Sequence, residues 1–131
     1  MAVRSSQEDF LLREIRKVAE MIALALGFRS KQDLPAARVE IGNAYTTLLG
    51  PQAAMFRALD VESVVRLVND SRKLTVFARL TAVDSTLAGD AGNDAVCRQL
   101  AARAIAIAEG AAKLDPSYQD AADALAELRA Q

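Results

Sequence analysis

The chain has 131 residues, of which 52% are hydrophobic and 25% charged, and its formal net charge is −1. That size sets one domain with one core, residues 1–131, and the composition excludes a disordered or fibrous chain. The near-zero charge excludes a global pull toward nucleic acid or an anionic membrane.

Helix one is predicted from Gln7 to Leu26, with Ser6 as its cap and Gly27 closing it. Its buried stripe is Leu11, Ile15, Val18, Ile22 and Leu26, spaced for one helical face. After a basic loop, Asp33 and Pro35 start helix two, which runs to about Leu49 on a stripe of Leu34, Ala37, Ile41, Ala44, Tyr45 and Leu48. Gly50-Pro51 breaks it, and Pro51 falls in the first turn of a short helix ending near Leu59.

Asp60 caps a fourth helix, Val61 to Val68, and Asn69-Asp70 ends it. Helix five spans about Ser71 to Leu87. It carries two apolar stripes, Val76-Leu80-Val83-Leu87 and Leu74-Phe77-Thr81, so it is expected to lie at the centre of the fold. Gly89-Asp90-Ala91-Gly92-Asn93 reads as the clearest loop. Helix six, Asp94 to Leu114, follows with a seam of Cys97, Leu100, Ala104, Ile107, Ala111 and Leu114. Pro116 stops it and suits the start of helix seven, Ser117 to about Arg129, which turns Tyr118, Ala121, Leu125 and Leu128 inward. The expected fold is all-α, about seven helices packed as antiparallel hairpins.

Two resemblances follow from these residues. Ala104, Ala108 and Ala111 ahead of Leu114-Asp115-Pro116 resemble the second helix and ending of a tetratricopeptide repeat, which implies tetratricopeptide-like packing at the C-terminal end. No second copy stands at a period of 34 residues. Glu8-Asp9-Phe10-Leu11-Leu12-Arg13-Glu14-Ile15, Ala23-Leu24-Ala25-Leu26-Gly27 and Leu48-Leu49-Gly50 resemble a bacterial family of small helical proteins classed as a domain of unknown function. That resemblance implies a fold and no activity, cofactor or site residue.

The candidate sites each have a plainer structural explanation. Histidine is absent, so Cys97 lacks the base that would activate it and reads as a small buried residue on the helix-six seam. Arg57, Arg66, Arg72, Lys73 and Arg79 make the middle of the chain basic. A phosphate or RNA surface is one reading, and a solvated face balanced by Asp60, Glu62, Asp70 and Asp84 is the preferred one. Asp84, Asp90 and Asp94 lack the tight alternate spacing of a calcium loop, and capping of helix six by Asn93 or Asp94 accounts for that segment. Gly42 and Gly110 inside helices point to close crossings, and Tyr45 and Tyr118 to core aromatics with hydroxyls at an edge.

No catalytic constellation emerges, so the expected protein is not an enzyme, has no cofactor or metal, and has no assignable partner-binding residues. The leading expectation is a non-enzymatic protein–protein interaction module with an unidentified protein partner or a second copy of itself. The alternative is a small-molecule binder with a pocket between helices two, five and six, where Gly42 and the alanine face leave room. A lone cysteine suits a reducing compartment. The polar start, Ser5 to Asp9, does not read as a signal peptide, and the run Met21 to Leu26 is too short to span a bilayer. A soluble, cytoplasmic protein with no nucleic-acid or membrane partner is expected.

Overall fold

The computed structural model describes residues 6–131, and among these every regular element is helical. In chain order they are α1 (Ser6–Ser30), α2 (Leu34–Leu49), a 3-10 turn (Gly50–Gln52), α3 (Ala53–Ala58), α4 (Val61–Val68), α5 (Ser71–Asp90), α6 (Asp94–Leu114) and α7 (Gln119–Ala130). The all-α expectation is met. No described helix is long and apolar enough to cross a membrane.

Helix starts follow local side-chain chemistry. The carboxylates of Asp33, Asp60 and Asp70 and the amide oxygen of Asn93 accept hydrogen bonds from Ala36, Ser63, Lys73 and Val96 backbone N–H groups. Each cap satisfies a donor that the first helical turn leaves open, and such a cap is worth about 1 kcal/mol.

Two helix ends differ from the sequence expectation. Gly27 does not close α1, which runs on to Ser30 and ends with Gln32 in the left-handed region at φ 61°. Asp33 N–H reaches back to Phe28 O at 2.9 Å, and Gln32 N–H to Arg29 O at 2.9 Å. That pair of bonds is a Schellman ending, here built on glutamine rather than glycine. The glycine loop likewise contributes Gly89 and Asp90 to α5. The turn is confined to Ala91–Asn93, with Gly92 at φ 83° and Asn93 N–H on Ala88 O. Pro116 lies in the turn before α7, where Asp115 accepts from Ser117 N–H, and it does not start the helix.

The core is organised around α5. Residues 74–78 are all buried, which covers more than one full turn, so α5 is packed on every side there. Burying Leu74 and Phe77 stabilises the fold by roughly 1.5–3 kcal/mol each. α5 packs most extensively against α6, whose Ala104, Ala108 and Ala111 let the two backbones approach. Ser71 Oγ donates to Ala111 O at 2.8 Å and Ser85 Oγ to Cys97 O at 2.7 Å, which fixes the register of the pair. On the other side of α6, a Cβ on Gly110 would collide with Val65 of α4, so that glycine marks a close crossing. Gly42 does not: nothing lies within 4 Å of its Cβ position.

α1 packs mainly on α2 and partly on α5. Its buried positions are Val18 and Ala25, with Ile15, Met21, Ile22 and Phe28 half-buried beside them. Leu26, expected in the stripe, is exposed, as is Leu114 at the end of α6. Leu26 sits one position off the buried Ala25, and Leu114 is the last residue of α6, past the end of the packed seam. Ion pairs tie α1 to α5 at both ends, Glu8 to Arg72 and Arg29 to Asp90.

A cleft lined by three arginines

α2, α3, α5 and α6 enclose a cleft of about 420 Å³. Its walls come from regular helical spacing. α5 presents Phe77, Thr81 and Asp84, and α6 presents Val96, Leu100 and Arg103, each at i, i+4 and i+7. α2 adds Arg38 and Tyr45, two turns apart on one face. α3 adds Ala54, Arg57 and Ala58, and its two alanines leave the space open.

At the floor, the Tyr45 hydroxyl donates to Asp84 Oδ2 at 2.7 Å. The Tyr45 ring meets Phe77 edge to face, with centroids 6.1 Å apart and planes at 84°. Burial, followed by the charge of Asp84, pushes the Tyr45 phenol well above its ordinary pKa. The hydroxyl therefore keeps its proton and acts as a donor. Asp84 Oδ1 has no hydrogen-bond partner among the described residues.

The three arginines stand in different situations. Arg57 lies over the Tyr45 ring, 4.0 Å from its centroid, with Nη2 3.4 Å from Asp84 Oδ2. The stack on the ring is close, whereas the bond to Asp84 is long, and the side chain is 45% exposed. Arg103 donates from Nη1 to Leu59 O at 2.6 Å and from Nη2 to Phe56 O at 2.7 Å. It thus holds the end of α3 against α6, and burial lowers its pKa. Arg38 is exposed and makes no hydrogen bond or ion pair among the described residues. Three arginines and one carboxylate thus line the cleft. The cleft carries an excess of two positive charges in a chain whose net charge is −1.

The other sequence candidates are dispersed. Arg72 pairs with Glu8 and Asp70, and Arg79 with Asp120 and Glu127, so these members of the basic segment are neutralised locally. Asp90 pairs with Arg29 at 2.7 Å, and Asp94 lies in the first turn of α6 behind the Asn93 cap. Among the described residues no group of three acidic or cysteine side chains could hold a metal. Cys97 is half-buried rather than buried, with Sγ 3.5 Å from Ser85 Oγ. Tyr118 is half-buried, its hydroxyl 3.4 Å from Asp120.

Sequence reasoning placed a pocket between these helices but lined it with Gly42 and the alanine face of α6. The cleft uses neither: Ala104, Ala108 and Ala111 are buried in the core, away from its lining. Arg38 and Arg103 were not singled out. The available signals were weak: Arg38 sits seven residues before Tyr45, and Arg103 interrupts an alanine-rich face three residues after Leu100. No family model matches the sequence, and none of the curated proteins or solved structures compared with it is similar enough to match.

Proposed function

We propose that this chain is a non-enzymatic binding protein whose cleft between α2, α3, α5 and α6 takes a small anionic ligand. The observation that carries the reading is the convergence of Arg38, Arg57 and Arg103 on one cavity with Asp84 as its single acidic lining residue. Guanidinium groups present paired donors that match carboxylate and phosphate oxygens. The volume lies within the usual range for small-molecule sites. Tyr45 supports a binding rather than a catalytic role, because its proton is held by burial and by Asp84. The test is a calorimetric titration with citrate and with ribose 5-phosphate, at low and high salt. Binding to the wild type, weakened about tenfold or more by Arg38→Gln at unchanged melting temperature, is expected. Equal affinity in the two proteins would remove the reading.

A second reading, a tetratricopeptide-like protein–protein interaction module or homodimer, draws on exposed apolar side chains. Phe10, Val39 and Leu67 are each more than half exposed. Single exposed apolar side chains are ordinary on a surface, so the charged lining of the cleft weighs more. Light scattering that reports a dimer, lost on Phe10→Ser, would favour the interaction module.

A further inference from the structure

The cleft is not a plain anion trap, because it holds a carboxylate among its cations. Asp84 is 14% exposed and lines the cavity, and one of its oxygens is already satisfied by Tyr45 and approached by Arg57. The other, Oδ1, has no hydrogen-bond partner among the described residues. A bare anion entering beside it would meet like-charge repulsion and would leave that acceptor without its water. A ligand with a donor at that point would satisfy it.

The donor's nature follows from the charge balance. With three guanidinium groups against one carboxylate, an ammonium would add a fourth cation to a cleft already positive by two. A neutral hydroxyl donates without that cost. We infer that the ligand is a hydroxylated anion, its acid group held by Arg38 and Arg57 and a neighbouring hydroxyl donating to Asp84 Oδ1. Hydroxy acids and sugar phosphates share this chemistry. Arg103 keeps its place on the Leu59 and Phe56 carbonyls and supplies positive potential from the wall. The alanines at 54 and 58 leave the opening for the rest of the ligand.

This inference rests on the anion-site reading above, and the experiment separates the two. Two matched pairs of probes are titrated by calorimetry: malate against succinate, and ribose 5-phosphate against inorganic phosphate. The hydroxylated member of at least one pair is expected to bind about tenfold tighter or more, the usual worth of a hydrogen bond to a charged acceptor. Asp84→Ala should bring that ratio close to one. Arg38→Gln should weaken both members of the pair alike and leave the ratio standing. Because Asp84→Ala also strips Tyr45 of its acceptor, Tyr45→Phe is the control: it removes the same internal bond and should preserve the ratio. Binding of both members with equal affinity overturns the inference and leaves the anion site intact. An unchanged ratio in Asp84→Ala also overturns it. Failure of all four probes to bind overturns both.

Discussion

Two glycines in the helices of this protein have opposite physical meanings. Gly110 lies where α6 crosses α4, and a methyl group there would collide with Val65. Gly110→Ala is expected to destabilise the fold by roughly 1–3 kcal/mol through overpacking, and a companion Val65→Ala should recover part of the loss. Gly42 has nothing within 4 Å of its Cβ position and sits in the middle of α2. Gly42→Ala is expected to stabilise by about 1 kcal/mol, the helix-propensity difference. Urea unfolding of the three variants checks both signs. The sequence assigned both glycines to crossings, because a glycine in a helical pattern carries no record of what stands opposite it.

Tyr45 makes a further prediction at the same scale. Its phenol is raised in the folded state, so folding favours the protonated form. That contribution is complete below the unfolded tyrosine pKa, about 10, and is lost as pH rises beyond it. Tyr45→Phe should cost about 1–2 kcal/mol at neutral pH, through the lost bond to Asp84. Between about pH 9 and pH 11 the gap between wild type and variant should narrow. Tyr118, raised in the same direction, remains in the variant and titrates equally in both proteins. Unfolding midpoints across that range measure the difference.

Among the elements, α3 is the most dependent on its neighbours. It is six residues long, too short to be stable by itself, and it carries Ala54, Arg57 and Ala58 into the cleft. Two carbonyls at its end are taken by Arg103 of α6. Arg103→Met keeps the apolar stem and removes both bonds. The expected result is faster amide exchange over residues 53–59 with little change in the centre of α5. Stability should fall by roughly 1–3 kcal/mol. Uniform exchange across α3 and α5 in the variant would show that Arg103 does not hold this element in particular.

Three helix starts were legible in the sequence: Asp33, Asp60 and Asn93 each cap the helix that follows. Asp70, read only as the end of the preceding helix, caps α5 as well, and α7 starts at Gln119 rather than Ser117. Ends were less legible where glycine was taken as the stop. Gly27 is an ordinary helical residue, and the left-handed position falls on Gln32 five residues later. The bonds from Asp33 and Gln32 back to Phe28 and Arg29 decide that ending, and they depend on where α2 must begin. Gln32→Gly is expected to raise the urea unfolding midpoint, because glycine adopts that φ without steric cost.

Across the whole molecule, the central place of α5 could be read from its two apolar stripes, and its burial over residues 74–78 bears that out. The cleft could be read only as a location. Its charged residues and its tyrosine, at 38, 45, 57, 84 and 103, come from four helices and no two share a motif. Tyr45, Arg57 and Asp84 each had a local explanation in the sequence: core aromatic, basic face, balancing acid. Their joint meaning arises when α5 brings Asp84 under Tyr45 and the short α3 swings Arg57 over the ring. Such a site has no spacing signature, because helix packing rather than chain order sets its geometry.

Whether the arginine-lined cleft takes an anion is read most directly from a crystal structure of the protein grown with ribose 5-phosphate. The phosphate is expected within hydrogen-bond distance of Arg38 and Arg57, with Arg103 still on the Leu59 and Phe56 carbonyls. A cleft left empty while the phosphate binds elsewhere on the surface would contradict the anion-site reading.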